Sequence, residues 1–198
     1  MLNFTVSKED LEKRMNTFIW TYKIGDNILY NLEVIFQLAG DHNVSIKGQN
    51  YAKPISVLCI SVIEAILVDF LERLDKATNH FPKKLAVKRA EIKKELHNQQ
   101  QNAQTVYEGK VYKYKRLKNF GFKDLVEFCE KFDILGPHSA TYNALQDLGR
   151  FRNRVHIRNY FGNFEKDESQ TFSEKRTQQA INYMIAVFIY IGKNYPRP

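Results

Sequence analysis

Apolar positions recur at helical spacing along most of the chain. Ser7 with Asp10 has the form of a capping box, and an amphipathic pattern follows to about residue 23, where Gly25-Asp26 punctuates it. Ile28, Leu29, Leu32, Ile35, Phe36 and Ala39 predict a second helix, followed by the polar loop GDHNVSIKGQN. From Pro54, a residue suited to a first helical turn, to about Lys76 the chain is almost continuously apolar, the mark of a central helix. Residues 82–98 predict a highly charged helix with few apolar anchors, projecting or lying on the surface. A short helix is expected over 123–132, and Gly136-Pro137 breaks it. Ser139 then caps a helix with the stripe Leu145, Leu148, Phe151 and Val155, ending near residue 158. The last helix, about 173–193, becomes apolar all round, so it is either buried in the core or shared with a second subunit.

One stretch departs from helical spacing. NQQQNAQ is polar and either helix-compatible or disordered, and TVYEGKVYKYKRLKNF then alternates apolar and basic residues around Glu108-Gly109, which predicts a small β-hairpin. The expected fold is therefore all-α: one domain over 1–198, a bundle of five to seven helices, with a basic and partly irregular insertion at about 82–118.

Charge singles out the same insertion. The net charge is +8, and residues 82–118 hold eleven Lys/Arg against three Glu, while the rest of the chain is balanced. A surplus confined to one segment points to a polyanion, although a solvated helix face followed by a loop has the same composition. Within it Tyr107, Tyr112 and Tyr114 interleave with Lys110, Lys113, Lys115 and Arg116. Rings between cations suit single-stranded nucleic acid, but tyrosines in a hairpin more often pack its own face.

Composition excludes several classes. The two cysteines, Cys59 and Cys129, sit in apolar helical patterns with no CxxC, and read as buried thiols of a reducing compartment. MLNFTVSKED has no basic-then-apolar leader, and the apolar run at 55–71 carries Glu64 and Asp69, so a cytoplasmic protein with no membrane span is expected. Histidines 42, 80, 97, 138 and 156 have no metal-ligand spacing, and no glycine-rich phosphate loop or dinucleotide fingerprint occurs, so neither metal nor cofactor is expected. Glu64, in the middle of the central helix, needs a partner if buried: a structural hydrogen bond, or an arginine of the cluster described next.

LGRFRNRVHIRNYFG, residues 148–162, sets four arginines around His156. Arg152, Asn153 and His156 are spaced to lie together on a helix beside the buried stripe, and Arg150 and Arg154 form a second pair. A proton-transfer group beside guanidinium forks is what phosphodiester cleavage requires. Basic residues also collect at helix C-terminal turns for their effect on the dipole.

LQDLGRFRNRVHIRN, preceded by FKDLVEFCEKFDILGPHSATYNAL and by the central helix with Glu64, resembles the HEPN superfamily of small all-α domains. Many of its members are metal-independent endoribonucleases of toxin–antitoxin, abortive-infection and CRISPR defence systems. Their motif is an arginine, commonly followed by a polar residue, and then a histidine after a gap of four to six intervening residues. The resemblance implies that His156 is the catalytic histidine. The arginine is Arg152, followed by Asn153 but with three intervening residues, or Arg150, with a gap of five but followed by Phe151; alternatively the site is degenerate and the domain non-catalytic. Arg158 stands where toxins paired with nucleotidyltransferase antitoxins carry tyrosine, and the nearest tyrosine is Tyr160. The resemblance further implies single-stranded RNA as substrate, a two-fold homodimer joining two motifs in one cleft, and an antitoxin or defence-system partner. Lys110, Lys113, Lys115, Arg116, Tyr112, Tyr114, Arg154 and Arg158 would then hold the RNA.

Overall fold

The computed structural model describes residues 1–45, 49–77, 81–117, 120–153 and 172–197. Among these, seven α-helices surround one core: α1 (Lys8–Phe18), α2 (Tyr22–Val44), α3 (Gln49–Lys76), α4 (Arg89–Asn98), α5 (Phe122–Lys131), α6 (Ser139–Asn153) and α7 (Glu174–Asn194). A 3-10 segment, Lys83–Lys88, leads into α4. Strands β1 (Gln100–Tyr107) and β2 (Lys110–Leu117) form an antiparallel pair between α4 and α5. The all-α reading with a hairpin insertion holds at this level.

The central helix is α3, which packs against α2, α4, α5, α6 and α7. Its stretch Tyr51–Lys76 is long and apolar enough to cross a membrane, yet 61% of its most apolar window is buried inside the fold. Ile55, Cys59, Ile60, Ile63, Ile66, Leu67 and Leu74 are fully enclosed. Helix α7 lies on α1 and α3, with Ile181, Met184, Phe188 and Ile191 in the core. One face of α7 is thus in the interior, while Lys175, Gln179, Asn182 and Ala186 on its other face are exposed. Cys59 and Cys129 are free and buried, and burial pushes both thiols up, so neither is a reactive thiolate at neutral pH.

Several boundaries differ from the sequence pattern, the first because of a distant partner. The first break falls at Ile19–Thr21, not at Gly25-Asp26, which lies inside α2. Asp69 of α3 accepts hydrogen bonds from the Trp20 and Thr21 backbone amides at 2.7 and 2.8 Å, and thereby ends one helix and starts the next. Gly40–Val44 continue α2 rather than forming a loop, and α3 begins at Gln49, so Pro54 is inside the helix. Glu64 is half-buried, whereas Asp69 is only 1% exposed; the buried carboxylate of the central helix is the second of the two. The charged segment lies on the surface, anchored by buried Leu85, Ile92 and Leu96 and by an ion pair from Lys131 to Glu95.

The corner that presents α6 is closely fitted. Ser7 caps α1 as its spacing predicts, and Asp124 accepts from the Gly121 amide at the start of α5. The buried Tyr142 hydroxyl accepts from the Leu135 amide and donates to the Gly136 carbonyl, both at 2.9 Å, fixing the turn between α5 and α6. Gly149 brings α6 against α5 so closely that a Cβ there would stand 2.6 Å from Phe122 Cδ1, on a ring that is itself buried. Gly149→Val is therefore expected to cost about 1–3 kcal/mol through overpacking. The urea midpoint checks this, and an unchanged midpoint would show that the ring can yield.

Candidate nucleic-acid interface

Two residues, Glu108 and Gly109, reverse the chain between the strands, both with positive φ (49° and 74°). That is the type I′ geometry, whose twist matches the strands it joins. Glycine adopts it freely, while Glu108 is held there by the hairpin. The turn fixes the register: Val106 opposes Val111, Thr105 opposes Tyr112, Ala103 opposes Tyr114, and Gln100 opposes Leu117. The polar run Gln100–Gln104, open between helix and disorder on its composition, is thus the first half of β1. Its signal lies in the partner strand, since glutamine and asparagine have no strand preference of their own.

Directly opposed residues share a face and alternate residues change face. One face accordingly carries Tyr107, Tyr112 and Tyr114, with register positions 110 and 116, Lys110 and Arg116, at its two ends. The other carries Val106, Val111, Lys113 and Lys115, with Gln100 and Leu117 at the root. Leu117 is buried in the core, and the Gln100 side-chain amide donates to Asp75 at 3.0 Å. The hairpin root is therefore fastened through the second face, and the tyrosine face is directed away from the body there. Tyr107, Tyr112 and Tyr114 are 64, 48 and 46% exposed. Among the described residues none of the three stacks on another ring. The three rings thus stand partly exposed on the hairpin's own face.

Lys110 and Lys113 are exposed, and the β2 backbone sets Lys115 and Arg116 in the same strand, so the six sequence-derived positions of β2 come together on one projecting element. Cations on a narrow protrusion are well placed for a polyanion, because phosphates can approach from both sides. The groove nearest in sequence, about 480 Å³ and lined by Glu95, Gln99, Phe120, Asp124, Glu127, Phe128 and Lys131, has the opposite character. The Lys131 ammonium, hydrogen-bonded to Glu95, holds that carboxyl below its usual range, and Asp124 and Glu127 add two further carboxylates to the lining, so the groove offers phosphate little attraction.

Helix α6 carries part of the second candidate group. Arg150 is 80% exposed at its side chain and reaches Asp147 at 3.3 Å, an exposed pair one helical turn apart. Arg152 and Asn153 are in the last turn of α6, where the backbone is described. Arg154, His156 and Arg158 lie outside the described residues. Leu145 and Leu148 are buried as the stripe predicts, so the helix keeps its expected phase up to Leu148. Among the described residues no three His, Cys, Asp or Glu side chains converge as a metal-ligand set.

No family model, no curated protein and no solved structure matches this chain.

Proposed function

We propose that the chain binds single-stranded RNA through the β1–β2 hairpin and cleaves it, as an HEPN-like endoribonuclease, at the Arg/His segment that ends α6. The observation that carries the binding half is the placement of the charge surplus: β2 bears Lys110, Lys113, Lys115 and Arg116 on an element that projects from the fold, interleaved with exposed rings. Cations supply the salt-sensitive attraction to phosphates, and rings supply contacts that only unpaired bases can use. The cleavage half rests on residue chemistry and on the HEPN resemblance. His156 would exchange protons with the 2′-hydroxyl and the leaving oxygen, Arg152 or Arg150 would stabilise the charge gathering at phosphorus, and Asn153 would orient the histidine or the phosphate. The products would carry 2′,3′-cyclic phosphates.

Arg150 pairs with Asp147 at the surface, an exposed contact that leaves the role open to either arginine. The three-residue gap from Arg152 to His156 favours a second reading, an inactive HEPN-like domain that holds RNA without cutting it.

Binding is tested by titrating a uridine oligonucleotide at several salt concentrations. The logarithm of the association constant should fall linearly with that of salt. Replacing Lys110, Lys113, Lys115 and Arg116 together by glutamine should flatten the slope by about 0.7 for each phosphate contact removed. A wild-type protein with no salt-dependent binding would refute the proposal; one that binds but never cuts, with or without EDTA, would select the inactive reading.

A further inference from the structure

Tyr112 and Tyr114 are alternate residues of β2, so their Cα atoms are about 6.8 Å apart along the strand. Stacked bases repeat every ~3.4 Å. Two rings standing on alternate strand positions therefore leave room for one flat base between them, in contact with both. Across the sheet Ala103 opposes Tyr114, and its methyl group is too short to reach over the rings. Lys110 and Arg116 flank the pair on the same face, at the two ends a strand of phosphates would pass.

We infer that the tyrosine face of the hairpin is a base-binding cleft, in which one unpaired nucleobase slots between Tyr112 and Tyr114 and the next nucleotide rests on Tyr107 at the tip. The ligand class is unpaired RNA. A base within a duplex is covered on both sides by its neighbours and cannot enter, so the cleft selects single strands by geometry. An anionic bilayer suits the surface less well. Glu108 stands at the tip and would be first to enter the lipid, and Val106 and Val111 are on the face opposite the tyrosine pair.

This inference rests on the reading of the hairpin as an RNA-binding element, and its test separates the two. The full chain is titrated with a uridine oligonucleotide carrying one 2-aminopurine, whose emission is quenched on stacking. Tyr112→Thr and Tyr114→Thr keep a residue suited to strands, and amide exchange over β1 and β2 checks that the hairpin persists. Each should weaken binding about tenfold and restore emission. The double variant should be no more than about twofold weaker than either single variant, because removing one wall of the cleft already loses the sandwich. Tyr112→Phe and Tyr114→Phe should bind like the wild type. Additive losses, unchanged affinity in the threonine variants, or phenylalanine variants as weak as the threonine ones would overturn the cleft. If those results came with the glutamine variant still losing affinity, the RNA-binding reading would stand without the cleft. Binding to phosphatidylserine vesicles with none to the oligonucleotide would overturn both.

Discussion

Asp69→Ala is expected to lower the unfolding free energy by about 3–5 kcal/mol. For a single domain with a total of about 5–15 kcal/mol this is a large share. Asp69 receives the Trp20 and Thr21 amides, and both would be left unpaired in a part-buried turn. One helical turn along α3, the buried Arg73 donates to the Tyr195 carbonyl at 2.7 Å and to the Phe18 carbonyl at 3.4 Å, with its guanidinium over the Phe70 ring. Burial lowers the Arg73 pKa and the Asp69 carboxylate opposes that shift, so without Asp69 a buried cation loses its counter-charge. The two residues thereby tie the α1–α2 turn, the central helix and the residues after α7 together. Asp69→Asn, which keeps one acceptor, should cost less. Urea unfolding of the three proteins gives the values, and an alanine variant within 1 kcal/mol of the wild type would contradict this assignment.

His156→Ala is expected to reduce RNA cleavage by about 10²- to 10⁴-fold, the range over which a general acid–base group contributes. Affinity for the oligonucleotide should hardly change, because the hairpin lies on another element. Separating these two readouts shows whether the residue takes part in the reaction or merely supports the fold. Cleavage is followed by the appearance of 2′,3′-cyclic phosphate ends in buffer containing EDTA. Undiminished cleavage in the variant would remove His156 from the proposal. Parallel Arg150→Ala and Arg152→Ala variants identify the arginine by the larger loss.

Much of the fold can be read from local pattern. The Ser7 cap, the α5 and α7 boundaries and the Glu108-Gly109 turn were all signalled within a few residues of where they act. What local pattern missed was set from afar. The α1–α2 break depends on a carboxylate 48 residues away from Thr21, so the nearer Gly25-Asp26 looked like the boundary. Glu64 drew attention as the polar residue in the most apolar stretch, yet the residue that the core encloses is Asp69, because it meets two free amides there. The glutamine-rich half of β1 has no strand signature, and only pairing with the alternating β2 makes it a strand.

The candidate interface shows the same division. Composition and alternation put tyrosines and lysines on a hairpin, but whether the rings faced the bundle or solvent depended on which face the root buries. Leu117 and Gln100 decide this, by anchoring the face that lacks the tyrosines. Alternation from Leu117 back to Tyr114 would have indicated as much, had Leu117 been recognised as core. Gly149 gave no warning of its role, since the ring it accommodates belongs to another helix.

Photo-crosslinking locates the bound RNA on the chain. A 4-thiouridine oligonucleotide is bound to the full chain, irradiated, and the attached peptides are identified by mass spectrometry. The expected result is attachment at Tyr107, Tyr112 or Tyr114, lost when the four β2 cations are replaced by glutamine. Efficient crosslinks that all fall outside residues 100–117 would contradict the hairpin as the RNA-binding element.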